Sequence, residues 1–299
     1  MKKLVRKISY NIEKDIVIQE FLRENNYSNR IISQLKRELG TVCVNDIPRF
    51  LVDKVKKDDM LTVYLYEEIK NIPKYEKEVN IVYEDEDIAV INKSPDIAVI
   101  ATKAHYGKSL MNALASVWGD FVYHPVNRLD YGTSGLMIVA KNNLAHSILS
   151  NDIKDDNEIV KNVEREYLAI VHNDKEILKG SGYIEEKICQ PDLSNVKRWV
   201  GEDGQKAKTF YEVLKYNENY SLVRLKLFTG RTHQIRVHMA YINHALVGDE
   251  LYGGSVENIC RPCLHSYKIS FYQPISRKKI VIENEMPSDM IKIMQIYDK

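Results

Sequence analysis

Two short stretches of this 299-residue chain concentrate residues able to do chemistry. The first is His124-Pro125-Val126-Asn127-Arg128-Leu129-Asp130-Tyr131-Gly132-Thr133-Ser134-Gly135, which runs into the apolar Leu136-Met137-Ile138-Val139-Ala140. Arg128 and Asp130 precede a Gly/Thr/Ser turn and then a strand with buried character. A carboxylate at the mouth of such a turn can be shielded from water while guanidinium groups keep it ionised, which suits it to nucleophilic or acid–base work. The bland reading of an Asp before a turn is an Asx-turn or a cap. The turn is not a nucleophile elbow, because no residue separates Ser134 from Gly135. The second stretch is Phe228-Thr229-Gly230-Arg231-Thr232-His233-Gln234-Ile235-Arg236-Val237-His238-Met239-Ala240, followed by Gly248-Asp249-Glu250-Leu251-Tyr252-Gly253-Gly254. A helix starting at Thr232 would give Ile235, Val237 and Met239 apolar contacts and leave Arg231 and Arg236 for anions. Arg231, His233, Arg236 and His238 fall within one eight-residue window, which is unusual for a surface helix. A structural salt-bridge helix would carry the same pattern.

These residues must be held by the surrounding elements. From Val79 onward short β-rich runs recur at Val79–Tyr83, Ile88–Asn92, Leu136–Ala140, Tyr167–Val171, Lys208–Lys215, Tyr220–Leu227 and Lys279–Ile282. Helical stretches lie between them at Ser109–Ala115, Asn143–Leu149 and His233–Tyr241. Strands dominate and their connections vary in length, so the expected fold class is α+β on a mixed, mainly antiparallel sheet. Asn151–Glu158 is acidic and polar and reads as an exposed segment.

The first 70 residues differ in character. Ile18, Phe21, Leu22, Ile31, Ile32 and Leu35 have helical spacing in two blocks, broken at Asn25-Asn26. Ser28 or Asn29 can cap the second helix, and Gly40 is its expected stop. Val42, Val44, Leu61, Val63 and Leu65 alternate with polar neighbours as strands do. Domains are therefore expected at 1–70 and 79–299, joined by a charged linker at 71–78 that contains Pro73. Few contacts are expected to cross such a boundary.

Composition narrows the partners. Lys plus Arg total 43 and Asp plus Glu 42, so any nucleic-acid binding must come from local clustering. Between Arg30 and Lys57 seven basic residues (Arg30, Lys36, Arg37, Arg49, Lys54, Lys56, Lys57) stand against three acids, a local excess of four positive charges. Arg30 and Arg37 lie seven apart, so a continuous helix would put them on one face. A solvated helix face is the bland alternative. The basic start Met1-Lys2-Lys3 is not followed by the apolar core of a signal peptide, and no apolar run approaches ~20 residues. The expectation is a soluble, cytoplasmic, monomeric protein without membrane association. Cys43, Cys189, Cys260 and Cys263 do not make a disulfide framework. Cys260 and Cys263, with His265 nearby, raise a zinc site as a rival, but the second ligand pair that structural zinc needs is missing from the spacing.

Taken together, the blocks around Asp130 and Arg236 resemble the RluA family of RNA pseudouridine synthases. Supporting matches are Ile81-Val82-Tyr83-Glu84-Asp85-Glu86-Asp87, Arg165-Glu166-Tyr167-Leu168-Ala169-Ile170-Val171 and Leu264-His265-Ser266-Tyr267-Lys268-Ile269. The order of elements from Asp15 to Leu65 resembles an S-four-type RNA-binding domain, in which the second helix lies against RNA; this implies RNA contacts for Arg30, Lys36 and Arg37. Asn127 departs from the usual His, Asp58-Asp59 from the usual Gly-Asp, and Ser94–Thr102 is a worn version of the family's stretch there.

The resemblance implies the pseudouridine synthase fold and an enzyme that isomerises uridine in RNA without cofactor or metal. It implies catalytic roles for Asp130 as nucleophile or base, for Arg236 as its counter-charge and for Tyr167, which stacks on the uracil and whose phenol sits where a proton could leave carbon-5 late in the reaction. It also implies substrate contacts for Arg128, Arg231, His233 and Ile235. Ribosomal RNA of the large subunit is the favoured partner and transfer RNA the alternative. A non-catalytic RNA-binding or ribosome-assembly protein that keeps the fold is the remaining rival.

Overall fold

The computed structural model describes residues 2–69, 71–101, 106–119, 121–154, 163–190 and 196–296. Thr102 and residues 155–158, the ends of two segments singled out in the sequence, lie outside the described residues.

The N-terminal unit is a small sheet with two short helices. Strand β1 (Lys2–Asn11) forms one edge, paired antiparallel with β3 (Met60–Glu68), and β3 pairs in turn with β2 (Val42–Val44). Helix α1 (Ile18–Glu24) stops at the Asn25-Asn26 break, where Asn26 takes a positive φ of 62°. Ser28 caps α2 (Asn29–Leu35), its Oγ accepting the Ile31 N–H at 3.4 Å. The helix ends five residues before Gly40, which corrects the expected length. The Thr41 hydroxyl sits 3.0 and 2.9 Å from the carbonyls of Leu35 and Glu38, so a side chain takes up acceptors that another turn would have used. Arg37 therefore falls in the following turn, and the two-turn helix face expected to hold Arg30 and Arg37 does not form.

The rest of the chain is built on a ten-stranded sheet. Its path uses β4 (Asn80–Glu84), β5 (Ile88–Lys93), β6 (Ser134–Ala140), β7 (Val163–His172), β8 (Ser181–Ile184), β9 (Thr209–Tyr216), β10 (Tyr220–Leu227) and β11 (Leu264–Tyr272), in the spatial order β8-β9-β10-β7-β11-β6-β5-β4. Strand β12 (Lys279–Glu283) pairs with β11, and His124–Pro125 pairs with β6. Only β6 and β11 run parallel among the described pairs, so the fold is α+β on a mixed, mainly antiparallel sheet. Gly135 marks their closest approach: a Cβ there would overlap the Ser266 backbone, and its φ is 107°. Strands β5 and β6 are apolar on both faces. Ala89, Ile91, Met137 and Val139 enter one core cluster, and Ile88, Val90, Leu136 and Ile138 the other. Helices α3 (Leu110–Trp118), α4 (Asn143–Lys154), α5 (Gln234–Tyr241) and α6 (Ser288–Ile296) complete the unit. None of the described helices is long and apolar enough to cross a membrane.

The two units are docked, contrary to the expectation of few crossing contacts. Leu144 and Ile148 of α4 belong to the same buried cluster as Ile8, Leu22, Leu61 and Val63. Arg6 grips Asp87 through Nε at 2.7 Å and Nη2 at 3.2 Å, and also pairs with Glu86. Asp87 further accepts from Asn142 and Gln273, both at 3.0 Å. Glu67, near the end of β3, accepts the Asn143 N–H at 2.6 Å and bonds His124 Nε2 at 2.7 Å. The segment after residue 70 runs over α3, where Pro73 and Asn112 bond at 2.7 Å and Ser116 bonds Tyr75. Its charges solvate its outer side while its backbone is tied down.

Candidate active site

Asp130 lies in the loop that enters β6, and that loop is braced from three directions. Gly132 donates to the Pro95 carbonyl at 2.9 Å, Thr133 to the Asp130 carbonyl at 3.1 Å, and Arg261 Nη1 to the Gly132 carbonyl at 3.2 Å. Arg261 is itself fixed by a two-pronged pair with Asp289 of α6, at 2.7 and 2.8 Å. Below the loop the ammonium of Lys93, 1% exposed, donates to the carbonyls of Ser94 and Ile97 at 2.8 and 2.9 Å. Burial pushes the Lys93 pKa down to about 7, with Asp130 and Asp96 opposing that shift. The described part of Ser94–Thr102 is thus the support under the Asp130 loop. Asn127 serves that loop too: its Oδ1 accepts the Ile138 N–H at 2.8 Å.

The loop opens into a cleft of about 980 Å³ lined by both chemistry-bearing stretches, including Arg128, Asp130, Arg165, Tyr167, Arg231, His233, Ile235 and Arg236. The Asp130 carboxylate is 31% exposed, and its Oδ2 lies 4.0 Å from Arg236 Nη1 and 3.9 Å from His233 Nε2. Arg236 is held chiefly by another residue, Asp249, which takes its Nε at 2.6 Å and its Nη2 at 2.7 Å. The guanidinium also lies 5.0 Å from the centre of the Tyr252 ring. Burial works to lower the Arg236 pKa, but pairing with Asp249 and Asp130 outweighs it and holds the group above its ordinary value.

His233 precedes α5 with a positive φ of 57°, which turns its ring into the cleft. Tyr252 accepts the Arg198 N–H at 2.9 Å, so its own hydroxyl proton is available to His233 Nδ1 at 3.0 Å. The other ring nitrogen, Nε2, faces Asp130. Burial lowers the His233 pKa; Asp130 works against this and Arg236 adds to it. Gln234 fixes the turn, its Oε1 accepting from Thr229 and the Arg231 N–H and its Nε2 donating to Lys208 and Thr209.

Tyr167 is buried on β7 at the same cleft. Burial raises its pKa, Asp130 adds to the rise and Arg165 opposes it, so the phenol keeps its proton at neutral pH. Ile235 forms an apolar wall, Arg128 is exposed at the mouth, and Arg231 is half-buried with its Nε donating to the Lys206 carbonyl at 3.0 Å. Among the described residues, the basic groups within 4.0 Å of Asp130 are Arg236 and His233. Every candidate site residue of the two stretches thus reaches one cleft. Arg30, Lys36 and Arg37 do not; they are exposed on the N-terminal unit.

The RNA pseudouridylate synthase family matches residues 87–241 of this chain. A Bacillus subtilis (strain 168) protein named as the uncharacterised RNA pseudouridine synthase YjbO is 36% identical over 286 residues, covering 94% of this chain and 99% of its own length. The chain belongs to the RNA pseudouridylate synthase family. The ribosomal large subunit pseudouridine synthase D of Buchnera aphidicola is 34% identical over 209 residues, 64% of this chain and 63% of that protein. The solved human RNA Pseudouridylate Synthase Domain Containing 1 has the same fold, with a TM-score of 0.56 at 22% identity over 77% of this chain and 97% of its own. The protein is therefore an RNA pseudouridine synthase, an isomerase of the RluA type that its motifs resemble.

Three functional features of this synthase lie outside the sequence expectations. Asp249 was visible only as part of a Gly-Asp-Glu-Leu-Tyr-Gly-Gly block with no role, and it is the partner of Arg236. Tyr252, from the same block, is hydrogen-bonded to His233 Nδ1. Arg165 stood only as the first residue of a supporting match, with no role, and is buried at 5% exposure in the cleft. At the Cys260–Cys263 pair, Cys263 is buried, burial pushing its thiol up to about 12, and Cys260 is exposed.

Proposed function

We propose that this synthase isomerises uridines in large-subunit ribosomal RNA, with Asp130 as the group that acts on the target nucleoside. The observation that carries the catalytic part is the ionisable carboxylate of Asp130 facing a fixed cation, Arg236, across 4.0 Å of cleft. The reaction breaks the N-glycosidic bond of a uridine, turns the base over and rejoins it through carbon-5, with no net redox change. Asp130 supplies covalent or base catalysis. Arg236 faces it across the cleft, and Ile235 closes one wall. Tyr167 stacks on the uracil; as a neutral phenol it is poorly suited to abstracting the carbon-5 proton. The uridine must leave its stack, at a cost of a few kcal/mol, and Arg128 at the mouth fills the space it vacates.

Ribosomal RNA is supported by the relatives named as ribosomal large subunit synthases and by the exposed basic residues of the N-terminal unit. We read that unit as an S-four-like RNA handle that uses Arg30, Lys36 and Arg37 on phosphates. The test is to incubate the purified protein with total RNA and map new pseudouridines as carbodiimide adducts, with Asp130→Asn as control. New sites in large-subunit RNA sustain the proposal. Sites confined to transfer RNA overturn its ribosomal part, and new sites made by the Asn variant overturn its catalytic part.

A further inference from the structure

Arg165 is a buried cation of the cleft that pairs with no carboxylate among the described residues. It is 5% exposed, yet neither its Nε nor its Nη2 has a hydrogen-bond partner among the described residues. Leaving a guanidinium in that state is costly, and orphaned buried polar groups in native proteins call for an explanation. Its direction is set by the sheet: β7 alternates, so Arg165 and Tyr167 share a face, and both line the cleft. Nη1 lies against Gly230, where an added Cβ would stand 3.1 Å from it. Two more orphaned atoms, Asn127 Nδ2 and Thr133 Oγ1, belong to residues lining the same cleft. The unmet hydrogen-bonding capacity of two chain segments therefore collects around one space.

We infer that Arg165 receives a carbonyl oxygen of the target uracil, an assignment that rests on the reading of Asp130 and Tyr167 given above. Depth argues for the base over the backbone. Phosphates of a flipped nucleotide stay near the mouth, where Arg128 is exposed and Arg231 half-exposed, whereas the base enters beside Tyr167. The chemistry agrees. When the C1′–N1 bond breaks, its electron pair stays with the base and the charge spreads onto O2 and O4. Later C5 bonds to C1′, the C5 proton leaves and N1 takes one up, so the isomerisation balances without an outside reactant. A fixed cation at one carbonyl holds the detached, charged base more strongly than the neutral one, which accelerates bond cleavage.

The test compares wild type, Arg165→Met and Arg165→Lys on one RNA carrying uridine, 2-thiouridine or 4-thiouridine at the target, with kcat, KM, salt dependence and Tm measured for each. The Met variant should fold with a Tm no lower than wild type, since an unpaired buried charge has been replaced by an apolar chain of similar size. Its kcat should fall about 10²- to 10³-fold, the range for loss of one oxyanion donor, with KM and the salt slope unchanged. Wild type should be slowed by sulfur at one of the two carbonyls, the Met variant by neither, and the Lys variant should lie between. Wild-type kcat in the Met variant would overturn the assignment. So would a loss confined to KM with a salt slope shallower by ~0.7–0.9, the mark of a phosphate contact. A Met variant that unfolds would overturn it as well, because it would reveal a structural duty for the guanidinium. Full activity of Asp130→Asn would instead remove the site reading beneath it, while an inactive Asn variant beside a fully active Met variant would sink the Arg165 inference alone.

Discussion

The two units of this enzyme treat charge in opposite ways. In the N-terminal unit the seven basic residues from Arg30 to Lys57 are all exposed. In the catalytic unit Lys93, Arg165, Arg236, Asp87 and Asp249 are all buried, as are His172, His233, His238, His244 and His265. A surface meant to meet a polyanion needs charges that stay solvated until contact, and its effect is screened by salt. A site meant to act on one bond needs charges held out of water, where each interaction is stronger and each lost partner costs more. The difference predicts which changes are severe and which are mild.

The sharpest break is Asp130→Asn. Activity should fall on the order of 10⁴-fold or more, as for loss of a nucleophile. Stability should hold within about 1 kcal/mol, because the side chain is partly exposed and has no hydrogen-bond partner of its own among the described residues. Single-turnover kinetics and a melting curve read both.

Arg236→Ala comes next, and its effect reaches beyond the reaction. It leaves Asp249, 1% exposed, as a buried carboxylate without its partner, so unfolding should become easier by about 3–5 kcal/mol. The double variant Arg236→Met with Asp249→Leu should recover most of that stability and none of the activity. If chemical denaturation finds the single variant as stable as wild type, the catalytic unit does not hold its charges in the way described.

Acid should separate the units by a smaller amount. Burial, with Arg261 adding, pushes the His265 pKa down to about 4. An unfolded histidine takes up its proton near pH 6.5. Between those values the unfolded state binds a proton the native state refuses, so stability falls as pH drops from 6.5 to 4, by on the order of 3 kcal/mol, and is flat above. Burial shifts His172, His233 and His238 in the same direction. The N-terminal unit has no histidine, and both tryptophans, Trp118 and Trp199, are in the catalytic unit. Urea titrations followed by tryptophan fluorescence at pH 7 and 4.5 should show the loss, and His265→Asn should remove much of its pH dependence.

The mildest change is Arg30→Ala with Arg37→Ala. Folding and kcat should be unaffected, KM on large RNA should rise, and the slope of log affinity against log salt should flatten by ~0.7–0.9 per lost contact. Point variants replace deletion of residues 1 to 70, which would strip Asp87 of Arg6 and uncover Leu144 and Ile148. Salt slopes equal to wild type would remove the RNA-handle reading of this unit.

What could be read in advance follows from the range of the forces involved. Strands such as Ile88–Lys93 and Tyr220–Leu227 announce themselves because their β-branched and apolar runs are decided locally. The end of α2 does not, since it depends on where the Thr41 hydroxyl reaches after the chain has turned. Leu144 and Ile148 give α4 an apolar face, but nothing nearby says that this face covers the other unit. The Asp130 and Arg236 blocks are legible as chemistry, whereas the choice of Asp249 as the arginine's main partner is a tertiary fact. Arg165 looks like one more charge between Glu164 and Glu166 until the fold buries it at the cleft.

That double hold on Arg236 bears on the course of a turnover. In the proposed reaction Asp130, whether it becomes an ester or gains a proton, surrenders its negative charge part-way through the cycle. An arginine tethered by Asp130 alone would then be stranded in a dry pocket and would be drawn toward water or the departing base. With both prongs on Asp249 it stays where it was, neutralised throughout, and faces Asp130 again when the carboxylate is regenerated. The pocket is reset for the next uridine without having to rebuild itself.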